Sequence, residues 1–446
     1  MRTFINNDNN EVFMTLTPIS KGLLASSLAI LMTACSGDDG TDGANGAPGD
    51  AGADGRNSLV NQTTLDAGSA DCPTGGTRID SGIDANSNGV LDADEVDQTS
   101  FVCNGESAEG AMAFQELYDQ GVDRYLGVFT PMSSTLGADG VVEHVFGTGD
   151  RGPQCLRGGD YRMATRDGTG DALMIFLEGG GACTSQLCAA TEAASNDQFR
   201  GQFGILNGSD ETNPAADFNV AYFPYCDGSV FSGDVDYDDD GDGIDDRFHR
   251  GVQNTSAGLD VVASAYPAPS IILLTGNSAG GYGTNYALPL VRKLWPDTPI
   301  RMLNDSGVGI AFPGYTAFVA NEWNSTAFIP ASCETCIGAD GHTTDYHKYQ
   351  LAEDRNLITG FMSTAQDSTI ADTFIGIGGE AFEAALRAEM ADLQAAHPDR
   401  FRYLIAAGND HTFLQRAFAL PVGDTTIRDW VEDMIEFNQD WDTVTE

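Results

Sequence analysis

The chain has 446 residues, of which 66 are acidic and 22 basic, so its formal charge at pH 7 is −44. This charge argues against nucleic acid or an anionic membrane surface as a partner, because both attract clustered lysine and arginine. The hydrophobic fraction of 41% excludes wholesale disorder, and the length predicts one large domain with appendages.

Residues 1–35 predict an export signal. Lys21 precedes a short apolar stretch at residues 22–32, which is too short to span a bilayer comfortably. The run Met32–Cys35 is similar to a bacterial lipobox, in which the cysteine is lipidated after cleavage. We therefore expect an exported bacterial protein, either anchored in the cell envelope through Cys35 or secreted free of it.

Residues 36–57 carry glycine at every third position from Gly37 to Gly55. A strict Gly-x-y repeat permits collagen-like pairing, but a single proline, Pro48, and the small number of triplets favour a flexible acidic spacer.

Residues 58–106 predict a small unit built around a calcium loop. The twelve residues from Asp84 to Glu95 place oxygen ligands and a glycine at the spacing of an EF-hand loop, although amphipathic helices are missing on both sides. An acidic Asx-turn without an ion is the alternative. We expect a Cys72–Cys103 disulfide to stabilise the unit, since so few residues bury little core. The expected ligands are Asp84, Asn86, Asn88, the Val90 carbonyl and Glu95.

Residues 110–446 predict one large α/β domain. Apolar runs typical of buried strands alternate with helical patterns at residues 279–293, 379–396 and 425–437, which indicates a doubly wound fold with a mostly parallel sheet. The predicted strands are Leu173–Leu177, Asn219–Phe223, Ile271–Leu274, Ile300–Leu303, Leu357–Met362 and Phe401–Ile405.

A Gly-x-Ser-x-Gly motif lies between a predicted strand and a predicted helix, with Ser278 at its centre. This is the setting of a nucleophile elbow, a sharp turn that holds a serine hydroxyl at its tip in a strained conformation. Gly276 and Gly280 allow the flanking backbones to approach closely. The N–H of Ala279, at the start of the helix, favours a developing oxyanion.

A glycine run follows the predicted strand Leu173–Leu177. Such a run exposes backbone N–H groups as an oxyanion hole requires, whereas a simple turn is the other interpretation. Because the elbow is also present, we expect the N–H groups of Gly180, Gly181 and Ala279 to receive an oxyanion.

A serine nucleophile needs a base and an orienting acid, which in this type of fold follow in the order Ser, Asp or Glu, His. Of the six histidines, His411 lies on a short loop between a late strand and a helical stretch. Asp367 follows the penultimate predicted strand and is the preferred acid. Asp305 follows an earlier strand and is the alternative acid. Its non-catalytic interpretation is that it caps the N-terminus of a helix.

These motifs resemble those of the pectin acetylesterase family, which includes the Notum carboxylesterases. The resemblance covers about residues 155–415 and implies an α/β-hydrolase-like fold and a serine carboxylesterase whose triad is Ser278, Asp367 and His411. The matching blocks are Cys155, Leu177–Gly181 with Cys183, Tyr225–Ser229, Gly233 with Asp234, Arg250 with Gly251, Gly276–Gly281, Asp305–Gly307, Asp367 with Ser368, and His411.

The eight cysteines other than Cys35 form an even set, which suggests disulfides in an exported chain. The resemblance implies the pairs Cys155–Cys226 and Cys183–Cys188, which leaves Cys333 and Cys336. A Cys-x-x-Cys can also be a redox or metal pair, but a structural disulfide is expected outside the cytosol. Ala182 stands where the family has an aromatic residue, which suggests a more open acyl pocket.

An acidic insertion at residues 234–246 fits a second calcium loop. So many carboxylates side by side would repel one another strongly without a cation. A register that begins at Asp236 is the alternative. The preferred ligands are Asp238, Asp240, Asp242, the Ile244 carbonyl and Asp246.

These features together predict an exported serine carboxylesterase that hydrolyses O-acyl esters, acetyl esters first, on a polysaccharide. We expect no cofactor for catalysis, structural Ca²⁺ in the two loops, no nucleic-acid partner, and membrane contact only through the lipid anchor. Pectin is a polyanion that a charge of −44 would repel unless calcium bridges the two. The alternatives are an esterase of longer acyl or polyester substrates and, in another class, a catalytically dead calcium-dependent surface adhesin.

Overall fold

The computed structural model describes residues 57–67, 69, 74–103, 113–149, 151–415 and 417–446. The predicted export signal, Cys35, nearly all of the spacer and the expected Cys72–Cys103 disulfide lie outside these residues. The chain divides into two compact units at residues 105 and 106, and each unit is described by itself.

The first unit is a three-stranded antiparallel sheet in the order β1-β2-β3. The predicted calcium loop connects β2 to β3, so strands rather than helices flank it. Both oxygens of the Asp84 carboxylate accept backbone N–H groups, from Asn88 at 3.0 Å and Gly89 at 2.9 Å. Glu95 accepts the N–H of Asn86 at 3.1 Å, which folds the loop around these carboxylates. The strands are β1 (Ser58–Ala67), β2 (Thr74–Ile83) and β3 (Val96–Cys103).

The described strands of the second unit include the six that the sequence predicts, four of which extend further at their carboxyl ends, and ten that it does not predict. They are β4 (Ser133–Leu136), β5 (Val141–Val145), β6 (Arg162–Arg166), β7 (Leu173–Leu177), β8 (Gly181–Cys183), β9 (Cys188–Ala190), β10 (Asn219–Phe223), β11 (Val235–Tyr237), β12 (Arg247–His249), β13 (Ile272–Asn277), β14 (Ile300–Asp305), β15 (Leu357–Thr364), β16 (Phe401–Ala406), β17 (Pro421–Val422), β18 (Thr425–Thr426) and β19 (Val444–Thr445).

The second unit contains the three helices that the sequence predicts at residues 279–293, 379–396 and 425–437. None of the described helices is long and apolar enough to cross a membrane. A π-helical turn is found at Thr369–Phe374. The α-helices are α1 (Gln115–Asp119), α2 (Asp197–Arg200), α3 (Gly251–Ala265), α4 (Ala279–Leu294), α5 (Tyr315–Glu322), α6 (Thr344–Glu353), α7 (Gly379–Ala396) and α8 (Ile427–Glu436).

Ten of these strands form one mixed sheet in the order β19-β16-β15-β14-β13-β7-β10-β6-β5-β4. The pairs from β19 to β10 are parallel, and β10, β6, β5 and β4 pair antiparallel with one another. The chain passes from β10 on one side of β7 to β13 on the other side. Ligands bind at the carboxyl ends of strands where such a reversal occurs, so the ends of β7 and β13 are the expected place for a site.

Both faces of the sheet are buried, as the continuous apolar run of β7 predicts. Leu173 and Ile175 face one core, which also holds side chains of α3, α4 and α7. Met174 and Phe176 face a second core, where Trp430 and other residues of α8 pack. A mostly parallel sheet between two helical layers confirms the predicted α/β class.

Three disulfides link cysteines of the second unit: the two pairs that the resemblance implies, and the pair of Cys333 and Cys336, which forms the expected structural disulfide. They are Cys155–Cys226, Cys183–Cys188 and Cys333–Cys336. The second of these closes the short hairpin of β8 and β9, which carries the end of the glycine run.

Candidate active site

Ser278 occupies the sharp turn between β13 and α4. Its φ and ψ are 55° and −121°, an uncommon backbone conformation for a residue with a side chain. The turn is held by the Ser278 N–H, which donates to the main-chain oxygen of Asp305 at 2.8 Å. The residue is 9% exposed and lines a cavity. The strained turn and the access to a cavity are the properties expected of a nucleophile elbow.

The flanking glycines are required by close backbone contacts. A Cβ atom on Gly276 would lie 2.5 Å from the carbonyl oxygen of Gly280. A Cβ atom on Gly280 would lie 2.0 Å from the carbonyl oxygen of Leu177 in the neighbouring strand β7. Both distances are far below van der Waals contact, so any other residue would push α4 away from the sheet and move Ser278.

His411 and Asp367 form a hydrogen-bonded pair. The Nδ1 atom of His411 lies 2.7 Å from Oδ2 of Asp367, which is fully buried. The other carboxylate oxygen accepts the backbone N–H groups of Thr369 and Ile370, both at 3.1 Å. The carboxylate is therefore held in place and orients the imidazole with its Nδ1–H inward.

The second imidazole nitrogen, Nε2 of His411, is buried and has no hydrogen-bond partner among the described residues. With Nδ1 donating to the carboxylate, the neutral ring carries its lone pair on Nε2. A histidine in this state is able to accept a proton from a serine hydroxyl, and such hydrogen bonds commonly tighten only when substrate binds.

Asp305, the alternative acid, has a different role in the structure. Its Oδ2 atom accepts the backbone N–H groups of Phe413 at 2.8 Å and Leu414 at 2.9 Å, immediately after His411. Burial raises the pKa of this carboxyl to about 6. Since its main-chain oxygen also accepts the Ser278 N–H, Asp305 connects the nucleophile turn to the histidine loop. The residue thus serves as an anchor for both segments.

Two of the three predicted oxyanion donors, Gly181 and Ala279, line the same cavity as Ser278. Gly180 is not among the residues that line it. The N–H of the preceding residue, Gly179, donates to Oδ1 of Asn277 at 3.0 Å and is engaged there. Nothing in the sequence indicated this contact of Asn277, which ties the glycine run to the strand that leads to Ser278.

The cavity beside Ser278 has a volume of about 800 Å³, counting the part that opens to solvent. Its walls come from α4, α5, α6 and the turn Thr369–Phe374, together with Gly181 and Ala182 of β8. Most of the lining is apolar or aromatic, including Val319 and Trp323. These residues are scattered along the chain, and the sequence offered no signal for them except Ala182.

Glu178 has a buried carboxyl group. It belongs to the block Leu177–Gly181, in which the sequence indicated no separate role for it. It is 7% exposed, and its Oε2 accepts the N–H of Tyr225 at 3.2 Å. Burial raises the pKa of this carboxyl to about 7. An acid that titrates near neutrality therefore lies directly before the glycine run.

The second predicted calcium loop connects β11 to β12. Oxygen atoms of Asp238, Asp240 and Asp246 lie within 4.8 Å of one another. The carboxylate of Asp236 instead pairs with Arg250 at 2.8 and 2.9 Å. The structure thus favours the register that begins at Asp238.

The loop is joined to the wall of the cavity by an ion-pair chain. Arg247 pairs with Asp239 of the loop at 2.9 Å and with Glu322 at 3.3 Å. Glu322 is the last residue of α5, whose other face lines the cavity beside Ser278.

Comparisons with known proteins agree with this geometry. A family model described as Pectinacetylesterase matches residues 142–328, and one described as Domain of unknown function (DUF7151) matches residues 57–103. The first match contains Ser278 and ends before Asp367 and His411, so the contact between these two residues is given by the structure alone.

Two curated relatives share part of the chain. Pectin acetylesterase 11 from Arabidopsis thaliana is 26% identical over 212 residues, which are 43% of this chain and 54% of the relative. Palmitoleoyl-protein carboxylesterase notum2 from Xenopus laevis is 31% identical over 149 residues, which are 30% of each protein. The chain thus spans about half or less of the length of these relatives.

Proposed function

We propose that this chain is a serine carboxylesterase with the triad Ser278, His411 and Asp367, because a family model described as Pectinacetylesterase matches residues 142–328. The proposal rests mainly on the hydrogen bonding of the two ring nitrogens of His411. Its Nδ1 is fixed to a buried carboxylate at 2.7 Å, and its Nε2 is left without a partner among the described residues. Asp305 ties the residues after His411 to the turn of Ser278.

The proposed reaction follows from the geometry of these residues. The Ser278 hydroxyl attacks the ester carbonyl carbon while Nε2 of His411 accepts its proton, and Asp367 stabilises the imidazolium that forms. The N–H groups of Gly181 and Ala279, which both line the cavity, receive the oxyanion. The imidazolium then protonates the departing alkoxide, and water, deprotonated by His411, releases the acid from the acyl-enzyme.

An acetylated polysaccharide is the first substrate class that we propose, because one relative is named a pectin acetylesterase. The charge of −44 limits which polysaccharide is suitable, since a polyanion such as pectin would be repelled unless calcium bridged the two. Neutral acetylated glycans avoid this repulsion.

Esters of longer acyl groups are a second candidate, which the cavity favours. Its walls extend from Ser278 to residues of α5, α6 and the turn Thr369–Phe374, and their mostly apolar side chains offer more contact than an acetyl group needs. Ala182, where the family has an aromatic residue, leaves this space open beside Ser278. Apolar surface buried by an acyl chain would stabilise binding by about 0.8 kcal/mol per methylene group.

We propose further that the protein works outside the cytosol, as an envelope lipoprotein or a secreted enzyme. The three disulfides support this location because such bonds persist in oxidising compartments.

Structural calcium in both loops is also a proposal. Three carboxylates within 4.8 Å of one another would repel, and an ion of opposite charge removes that cost. Asp, Asn and backbone oxygens are the ligands that Ca²⁺ prefers. The ions would stabilise each loop, and the ion-pair chain through Arg247 gives the second loop a path to the cavity wall.

Labelling with a fluorophosphonate probe tests the proposed nucleophile. We expect the full chain to be labelled and the Ser278→Ala variant to remain unlabelled with an unchanged thermal melt. Rates on p-nitrophenyl esters of increasing acyl length then separate an acetylesterase from an enzyme of longer chains. A folded protein that neither reacts with the probe nor hydrolyses any ester would favour the calcium-dependent adhesin instead.

A further inference from the structure

The hairpin of β8 and β9 carries Gly181, one of the two proposed oxyanion donors that line the cavity. Gly181 lies opposite Ala190 in the antiparallel ladder. The N–H of Thr191 donates to the main-chain oxygen of Gly180 at 2.7 Å, a bond that flanks this pair. Such bonds bracket a pair whose own N–H and C=O groups point away from the partner strand. The Gly181 N–H is therefore turned away from β9, as an oxyanion donor requires.

The position of this N–H depends on the position of the whole hairpin. A Cβ atom on Gly181 would lie only 1.9 Å from the main-chain oxygen of Ala189, so the backbones of β8 and β9 are in direct contact. The ladder is short, and the Cys183–Cys188 disulfide closes it. Because a two-stranded hairpin alone is only marginally stable, contacts that fix its turn at residues 184–187 also fix the donor.

Glu322, the last residue of α5, holds that turn. One oxygen of its carboxylate accepts the N–H of Ser185, and the other accepts the Ser185 hydroxyl at 3.0 Å. The next residue, Trp323, donates its indole N–H to the main-chain oxygen of Cys183 at 2.8 Å. The Glu322 side chain is 8% exposed, and Arg247 balances its charge at 3.3 Å. The hairpin is thus attached to the end of α5 at two points.

Glu322 thereby connects two walls of the same cavity. β8 contributes Gly181 and Ala182 to the lining, and α5 contributes Tyr315 and Val319. The hairpin cannot shift along the end of α5 without breaking the hydrogen bonds of Ser185 to Glu322. Such a restraint matters for catalysis, because an error of about 1 Å in the position of a catalytic group can lower a rate by about 10²-fold.

We propose that Glu322 is a positioning residue for the oxyanion hole. Its carboxylate holds the turn at Ser185, and the hairpin in turn keeps the Gly181 N–H where negative charge develops on the carbonyl oxygen during attack by Ser278. Glu322 acts through Gly181 and not on the substrate itself. This inference rests on the proposed esterase function and adds to it a residue outside the triad.

The kinetics of Glu322→Ala and Glu322→Gln on p-nitrophenyl acetate test the proposal, with the full chain well below the melting midpoint of each variant. We expect Glu322→Ala to lower kcat about tenfold at a nearly unchanged KM, since losing an oxyanion donor outright costs about 10²–10³-fold and displacing it costs part of that. In Glu322→Gln the side-chain oxygen still accepts the Ser185 N–H, and the amide N–H groups donate to the Ser185 hydroxyl. Its kcat should therefore stay close to that of the wild type, although the ion pair with Arg247 is lost.

Two further variants complete the test. Tyr237→Phe is the matched control, because the Tyr237 hydroxyl donates to the main-chain oxygen of Glu322 at 2.6 Å from the side of β11, and it should keep the wild-type kcat. Ser185→Ala removes one of the two hydrogen bonds to the carboxylate and should lower kcat by a smaller factor than Glu322→Ala. It decides the question if Glu322→Ala does not fold.

The outcomes separate this inference from the proposed function. A folded Glu322→Ala with the wild-type kcat would overturn the inference and leave the esterase function intact. The same holds if Glu322→Gln or Tyr237→Phe is as slow as Glu322→Ala, or if Ser185→Ala has the wild-type kcat. A wild-type protein that hydrolyses no ester, p-nitrophenyl acetate included, would overturn the function and the inference together.

Discussion

Replacing Glu178 with glutamine should make the protein more stable at alkaline pH. Burial raises the pKa of this carboxyl from 4.5 to about 7; the Tyr222 hydroxyl and the Tyr225 N–H oppose this rise, and the charge of Asp197 adds to it. Between these pH values the folded protein keeps a proton that the unfolded chain has lost, so the free energy of unfolding falls as pH rises through this range. At about 1.4 kcal/mol per pH unit, the full loss above the upper value is about 3 kcal/mol.

Glutamine is neutral at every pH, and its side-chain oxygen still accepts the Tyr225 N–H. Glu178→Gln should therefore gain up to about 3 kcal/mol at about pH 8 and almost nothing at about pH 4, where the glutamate is protonated in both states. Urea unfolding of both proteins at the two pH values measures the difference directly.

Glu322→Gln is the matched control for this measurement. Its carboxylate is as buried as that of Glu178 but pairs with Arg247 at 3.3 Å, so neutralising it should lower stability at alkaline pH. If Glu178→Gln were no more stable than the wild type at about pH 8, burial would not control the proton affinity of this side chain.

Further predictions concern the catalytic residues and the ions. Ser278→Ala should abolish turnover with an unchanged melt, and residual activity above background would exclude it as the nucleophile. Asp367→Asn should lower kcat by about 10³-fold or more, because the amide favours the wrong imidazole tautomer. Asp305→Asn should lower kcat far less, because its side-chain oxygen still accepts two amide N–H groups. Similar kcat values for the two variants would refute the assignment of Asp367 as the acid. A chelator should lower the melting midpoint of the wild type more than that of Asp240→Asn, and an unchanged midpoint would contradict both calcium loops.

The central strands of the sheet and the turn at Ser278 were predictable because their signals are local. The strand Leu173–Leu177 is a continuous apolar run, which a strand buried on both faces requires. Ser278 was identified by glycines at fixed spacing between a strand and a helix, and the close backbone contacts at Gly276 and Gly280 are the physical reason for that spacing. Information of this kind is contained in a dozen consecutive residues.

Other features depend on contacts between distant segments. Nothing near Asp305 in the sequence indicates that its carboxylate binds the amides of Phe413 and Leu414, because the register between the strand and the histidine loop is set by the whole sheet. Ligand spacing in the first predicted calcium loop, similarly, does not specify whether strands or helices flank it.

Asp305 has a consequence for the motion of the site. Its main-chain oxygen holds the amide of Ser278, and its carboxylate holds two amides beyond His411. A fluctuation of β14 is thus transmitted to the turn of Ser278 and to the loop of His411 together, because both segments are hydrogen-bonded to the same residue. Detaching the histidine loop means withdrawing both amides from a carboxylate that water does not reach, which makes such an opening a rare, subglobal unfolding event rather than a loop vibration.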